Sequence, residues 1–191
     1  MPGMEDPGFA RSVVYICEHT ERGAQGLCIN KPLGLTLSEL FEQIKLPLKR
    51  DDLHDLPVCW GGPLQPERGF VLHTQPQTAQ EDATGGTAPG DTARWHYASS
   101  LLTADGLQMT TSRDILEAIS EGGGPAPLFA ALGHASWDQG QLEKEMRNNS
   151  WLTVPANHAL IFDTPLDMRY DRAIRLLGVT PGSLTVQAGT A

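Results

Sequence analysis

Residues 127–135, PLFAALGHA, form a continuous apolar run with no polar alternation. A strand with one wet face alternates, so a short unbroken run fits a central strand covered on both faces. The rest of the chain must then supply neighbouring strands and a layer on each side.

The strand signals come in pairs. SVVYICEH (12–19) and GLCIN (26–30), joined by TERGAQ, predict a hairpin. LPVCW (56–60) and RGFVLHT (68–74) predict two strands joined by a bend at Gly61, Gly62 and Pro63. WHYASSLL, the turn TADG and LQMT (95–110) predict a second hairpin. HALIF (158–162) reads as a short strand.

Four helices carry start and stop signals. Thr36 and Glu39 make a capping box ahead of the stripe Leu37, Leu40, Phe41, Ile44, which stops before Pro47. A second helix spans 113–120, with Thr111 and Asp114 as cap pair, Ile115, Leu116 and Ile119 inward and Gly122 to Gly124 as stop. For the third, Ser136 and Gln139 suggest a capping box and a start near Trp137. Gly140 then lies in its first turn, near a neighbouring backbone or a ligand, and Trp137 and Trp151 pack at its two ends. Its residues Gln141, Glu143, Lys144, Glu145 and Arg147 read as a solvated face. The last helix starts at Thr164, Pro165 and Asp167, with Leu166, Tyr170, Ala173, Ile174 and Leu177 inward and Arg169, Arg172 and Arg175 on a wet, salt-bridged side.

Strand pairs mixed with four helices imply an α/β or α+β sandwich in one domain spanning 1–191. Residues 75–92 lack any large apolar side chain and are expected to be a mobile loop, and 180–191 a peripheral tail.

Composition narrows the function. A net charge of -9 over 191 residues argues against nucleic acid and anionic membrane as direct partners. No apolar run approaches the roughly 20 residues of a membrane span, and a start of Met1-Pro2-Gly3-Met4 running into the acids Glu5 and Asp6 is not a secretory start, so the cytoplasm is the expected compartment. Cys17, Cys28 and Cys59 have no metal or disulfide spacing and are expected to be reduced, half-buried strand residues. The six histidines show neither H-x-H nor H-E-x-x-H, so no metal or other cofactor is expected; His19, His73 and His134, near strand ends, read as structural.

Two places offer donors to a ligand. Thr111, Ser112 and Arg113 put hydroxyls and a cation at a helix start, where free amides can hold a phosphate or carboxylate. Asn30 and Lys31, with Gly61, Gly62 and Arg68, combine two cations with a glycine pair whose amides can approach a ligand. Each place also has a plain reading, a helix cap and a bend. No complete catalytic motif is present.

The blocks DPGFARSVVYICEH, GLCINKP, WGGPLQPERGFVLH, TTSRDILEA and LGHASWDQGQLEKEMRNNSWL, with the closing helix, resemble in order the AlgH/YqgE family of bacterial proteins over nearly the whole chain. The resemblance implies a compact α+β fold: a single domain whose mixed, bent sheet closes toward a barrel, with about four helices packed on it. It implies no catalytic set, and the family carries a transcriptional-regulator label without an established activity. Three readings follow: a cytosolic regulatory or adaptor protein acting through a protein partner at the surface around Asn30, Lys31, Gly61, Arg68 and Arg113; an anion sensor or enzyme using Thr111 to Arg113; and a direct DNA-binding regulator. The first is favoured because it fits the acidic charge and the lack of a complete catalytic motif, and the last is discounted because the chain shows no helix-turn-helix, ribbon arm or basic stripe. The resemblance also implies that the 75–92 loop is longer than usual, and that family members carry an apolar segment of about ten residues, a strand, ahead of the position of Met1, so that either this start is internal to the natural gene or the protein folds without that strand. A chain extended by that segment is expected to melt higher; equal melting temperatures would remove the idea.

Overall fold

The apolar run lies within an 11-residue strand that holds the sheet together. The computed structural model describes residues 7–75 and 96–178; the expected 75–92 loop, apart from Gln75, and the 180–191 tail lie outside them. Along the chain come β1 (Val14–Thr20), β2 (Gly23–Cys28), β3 (Pro32–Thr36), α1 (Leu37–Gln43), β4 (Pro57–Trp60), β5 (Leu64–Thr74), β6 (Ser100–Leu102), β7 (Leu107–Thr110), α2 (Arg113–Ser120), β8 (Leu128–Asp138), α3 (Gln141–Arg147), α4 (His158–Phe162) and α5 (Leu166–Leu176).

The strands form one mixed eight-stranded sheet in the order β1-β2-β8-β5-β7-β6, with β3 and β4 branching from β8. On one edge β8 pairs antiparallel with β5. Its other neighbours are β4, parallel at Cys59–Ala131 and Trp60–Leu132, and β2, antiparallel from Gly26–Ala135 to Gly23–Asp138. The sheet curls until its ends nearly close a barrel. There Tyr15 Oη of β1 lies 2.9 Å from Thr103 Oγ1 and donates to the Asp105 carboxylate, both in the β6–β7 turn. His158 at the start of α4 stands 3.4 Å from the same carboxylate.

Both faces of β8 are covered, as its composition requires. Phe129 and Ala131 point into an inner core with Leu27, Ile29, Phe70, Leu72, Met109 and Ile161. Leu128 and Ala130 point the other way, against Leu37 and Phe41 of α1 and Ile115 and Ile119 of α2. Each such Leu, Ile or Phe contributes roughly 1.5–3 kcal/mol on burial, so the two layers hold the sheet from opposite sides. Helix α1 begins with the expected capping box: Glu39 N–H donates to Thr36 Oγ1 at 3.3 Å and Thr36 N–H to Glu39 Oε2 at 2.8 Å.

The structure departs from the sequence reading at several places. The strand reading of HALIF is replaced by α4, because Asn157 Oδ1 accepts from Leu160 N–H at 3.1 Å and starts a helical turn that buries Leu160 and Ile161. The third helix starts at Gln141 rather than near Trp137: Ser136, Trp137 and Asp138 pair with β2, so the strand ladder outcompetes a cap. Gly140 has no atom within 4 Å of a Cβ site; it is there because the N-cap takes φ +72°, the left-handed region. Pro165 is the cap of α5 rather than its first residue, and Arg169 is buried rather than on a wet face. The three cysteines are free and fully buried, not half-buried, and burial pushes Cys17 and Cys59 up to about 12, so both are thiols.

The bend at Gly61 and Gly62 carries the chain across β8. Trp60 pairs with Leu132 on one edge of β8, and Leu64 pairs with His134 on the other. The crossing brings backbone onto backbone: a Cβ would sit 2.1 Å from Gly133 O at Gly61, 2.1 Å from His134 C at Gly62, and 2.4 Å from Gly62 O at Gly133. Gly133→Ala is therefore expected to cost at least about 2 kcal/mol by overpacking, whereas Gly140→Ala, in open space, should cost only the left-handed penalty of about 1–2 kcal/mol. Urea unfolding of the two variants checks the order.

His73 is wholly buried in β5. Its Nδ1–H donates to the Thr74 carbonyl at 2.9 Å, so Nε2 accepts from Thr110 Oγ1, also at 2.9 Å. Burial lowers its pKa despite the Thr74 hydrogen bond, and burial with the Arg68 charge lowers that of His134. The unfolded chain takes up these protons near pH 6.5 and the folded protein only below that, so stability is lost as pH falls through about 6.5. Melting temperature should drop between pH 7.5 and 5.5, and less steeply in His73→Gln.

Candidate functional site

The eight residues singled out from the sequence fall in three places. Asn30 and Lys31 tie down the segment before β1: Asn30 Oδ1 accepts from Val13 N–H at 2.7 Å, its Nδ2 donates to Arg11 O at 2.9 Å, and Lys31 Nζ donates to Gly8 O while lying 5.8 Å from the Trp60 ring centroid. Gly61 and Gly62 lie at the β8 crossing, and the backbone they approach is that of β8. At the start of α2, Arg68 and Thr111 come together: Arg68 Nη2 donates to Thr111 Oγ1 at 2.8 Å, and Ser99 Oγ lies 3.0 Å from the same hydroxyl.

That helix start already holds an anion of its own. The Asp114 carboxylate accepts from Ala98 N–H at 2.7 Å, Ile115 N–H at 2.9 Å and Ser112 Oγ at 2.5 Å. Ser112 is the N-cap residue, and the expected cap pairing of Thr111 with Asp114 is not formed. Arg113 leaves this cluster for Glu117, with Nε to Oε1 at 3.0 Å on an exposed surface. Arg68 and Arg113 therefore engage different partners.

A larger concavity was not visible in the sequence. An apolar groove of about 230 Å³ runs between β1 and the α3–α5 layer, walled by Val14 and Ile16, Leu142 and Met146, Leu152 and Leu177. Among the described residues, β1 pairs with β2 alone, so its other edge has no strand beside it. An unpaired strand edge offers a row of backbone donors and acceptors.

The wall at α3 is fixed by an aromatic set. Trp137 and Trp151 meet edge to face at 5.8 Å, and Phe9 meets Trp151 at 5.6 Å. Both indole N–H groups donate to Glu145 Oε2, at 3.0 Å from Trp137 and 2.8 Å from Trp151. Glu145 thus belongs to this cluster and not to the solvated face assigned to it, and the two tryptophans share one task. On the same helix Glu143 reaches His19 of β1 at 2.6 Å, so α3 is also tied to the sheet.

Among the described residues, no three His, Cys, Asp or Glu side chains are arranged to hold a metal ion, and no helix is long and apolar enough to cross a membrane.

Known proteins share this architecture. The AlgH-like family model matches residues 1–182. UPF0301 proteins from a Polaromonas species and from Paracidovorax citrulli are 51% and 53% identical, covering all of this chain and 91% and 92% of theirs. The solution structure of the AlgH protein from Pseudomonas aeruginosa superposes with a TM-score of 0.72 at 43% identity, covering 100% of this chain and 92% of that one. A crystal structure of a Corynebacterium diphtheriae protein shares the fold at 24% identity and a TM-score of 0.61, over 90% of this chain and 81% of its own. With the match spanning both hairpins, the glycine crossing and the five α-helices of the described residues, the chain belongs to the AlgH-like family.

Proposed function

We propose that this protein is a bacterial cytoplasmic regulatory adaptor that acts by binding an extended segment of a protein partner in the groove beside β1. The observation that supports it is the coincidence, among the described residues, of an unpaired strand edge with an apolar trough. A partner strand added to β1 gains main-chain hydrogen bonds, and alternate side chains drop into the groove, which is the physics of β-augmentation. Ile16 and Leu152, 36% and 39% exposed, stand ready to be covered by such a segment. The surface around Asn30, Lys31 and Arg68 contributes by holding the chain entry to β1 and the far side of the sheet in place. A net charge of -9 disfavours duplex DNA as the direct partner.

A displayed library of random peptides is expected to yield binders with apolar residues at alternate positions. Ile16→Lys and Leu152→Lys are each expected to weaken those binders at least about tenfold, while Arg113→Ala leaves them unchanged. Failure to enrich any peptide, or binding indifferent to both lysines, would overturn the reading. So would salt-dependent binding of labelled duplex DNA with a slope of several phosphates.

A further inference from the structure

Arg169 is 6% exposed, and no carboxylate lies within 4.0 Å of it among the described residues. Its Nε donates to Thr164 O at 2.9 Å and Nη1 to Ile29 O at 2.5 Å, which pins the corner between α4 and α5 to the chain just past β2. A guanidinium has five N–H donors, so among the described residues these two bonds leave three without a protein acceptor. Phe129 presents its ring 5.6 Å from the guanidinium carbon. A buried cation held only by carbonyls and a ring face keeps most of its desolvation cost, and an anion would offset it.

Arg169 also lines a cavity of about 270 Å³. This is close to the lower end of small-molecule pockets, about 300 Å³. Its other walls are mainly apolar: Leu128 and Phe129 of β8, Ile161 and Phe162 of α4, and Leu166 of α5. Pro165 and Leu166, cap and first residue of α5, lie in the same wall, and that helix start receives no side-chain cap. Asp163 stands exposed at the rim, where its charge opposes ligands with several negative charges.

We propose that this cavity binds a small monocarboxylic acid with an apolar body, its carboxylate paired with the free N–H groups of Arg169 and its body set among Phe129, Ile161, Phe162 and Leu166. A planar guanidinium matches a carboxylate in a two-point fork. The apolar walls then distinguish such an acid from bare inorganic anions. This site shares Ile161 with the β1 groove, and the proposal does not depend on the reading of that groove.

The test is a titration of the full ¹⁵N-labelled chain with benzoate, followed at the arginine Nε–H signals, with the Arg169 signal assigned by its loss in Arg169→Lys. Benzoate is expected to shift that signal saturably, at least about tenfold more tightly than acetate or inorganic phosphate, while benzyl alcohol, which has the body without the charge, leaves it unmoved. Leu166→Trp fills the cavity and leaves Arg169 in place, so it should abolish the benzoate shift with the circular dichroism of the fold retained. Arg169→Lys should weaken benzoate seen from its own ring protons. The proposal is overturned by no saturable shift, by acetate or phosphate binding as tightly as benzoate, or by benzoate binding unchanged in Leu166→Trp.

Discussion

The fold depends on one close approach of backbone to backbone, where Gly61 and Gly62 pass over Gly133. Strand β4 lies on one edge of β8 and β5 on the other, and only Gly61 to Pro63 separate them in sequence. A link so short must cross directly above the strand, and any side chain at the crossing would occupy space already filled by a carbonyl or a peptide carbon. Once it is made, Cys28 N–H reaches Gly61 O at 2.8 Å and Gly61 N–H reaches Leu132 O at 2.8 Å, so the crossing residue also links β2 to β8. The two-sided core, the branch of β3 and β4 and the near-closed barrel all assume this junction.

How much of this could be read beforehand tracks the range of the forces involved. The α1 capping box is legible because Thr36 and Glu39 satisfy each other within one helical turn. Although the Thr111–Asp114 pairing expected at the start of α2 is not formed, helix α2, read as about 113–120, and both hairpins are legible from local pattern as well. HALIF was not, because five apolar residues have no period of their own, and Asn157 decides between strand and helix. Ser136 and Gln139 looked like a cap because the pairing of Trp137 with Ala24, more than a hundred residues away, leaves no mark on the local pattern. Strand β3 went unforeseen: Pro32 and Gly34 argue against a strand, and only its pairing to β4 makes it one.

The same distinction separates the chosen site residues from the groove and the cavity. Residue type alone drew attention to Arg68, Thr111 and Arg113, and two of these do meet. The β1 groove has no distinctive residue, since Val14, Ile16, Leu142 and Met146 are ordinary core formers, and they enter the proposed docking only through the edge of β1 that is unpaired among the described residues. The wet neighbours of Glu145 in the helix point it to water, yet two indole N–H groups, one before α3 and one after it, claim it instead. Spacing likewise places Arg169 with Arg172 and Arg175, although it lies toward Ile29 and Thr164.

The position of β8 in the sequence has a consequence for synthesis. This strand, at residues 128–138, is the shared neighbour of β2, β4 and β5, all of which precede residue 75. During translation the early hairpin and the β3–β4 pair are thus made long before the strand that joins them, and their apolar faces wait for it. Pairings so distant in sequence are slow to form because closing the intervening chain is entropically costly. The nascent chain therefore passes through a stage in which its first half is sticky and unfinished, the stage at which chaperones protect exposed strands. The emergence of residues 128–138 from the ribosome is the event that lets it complete.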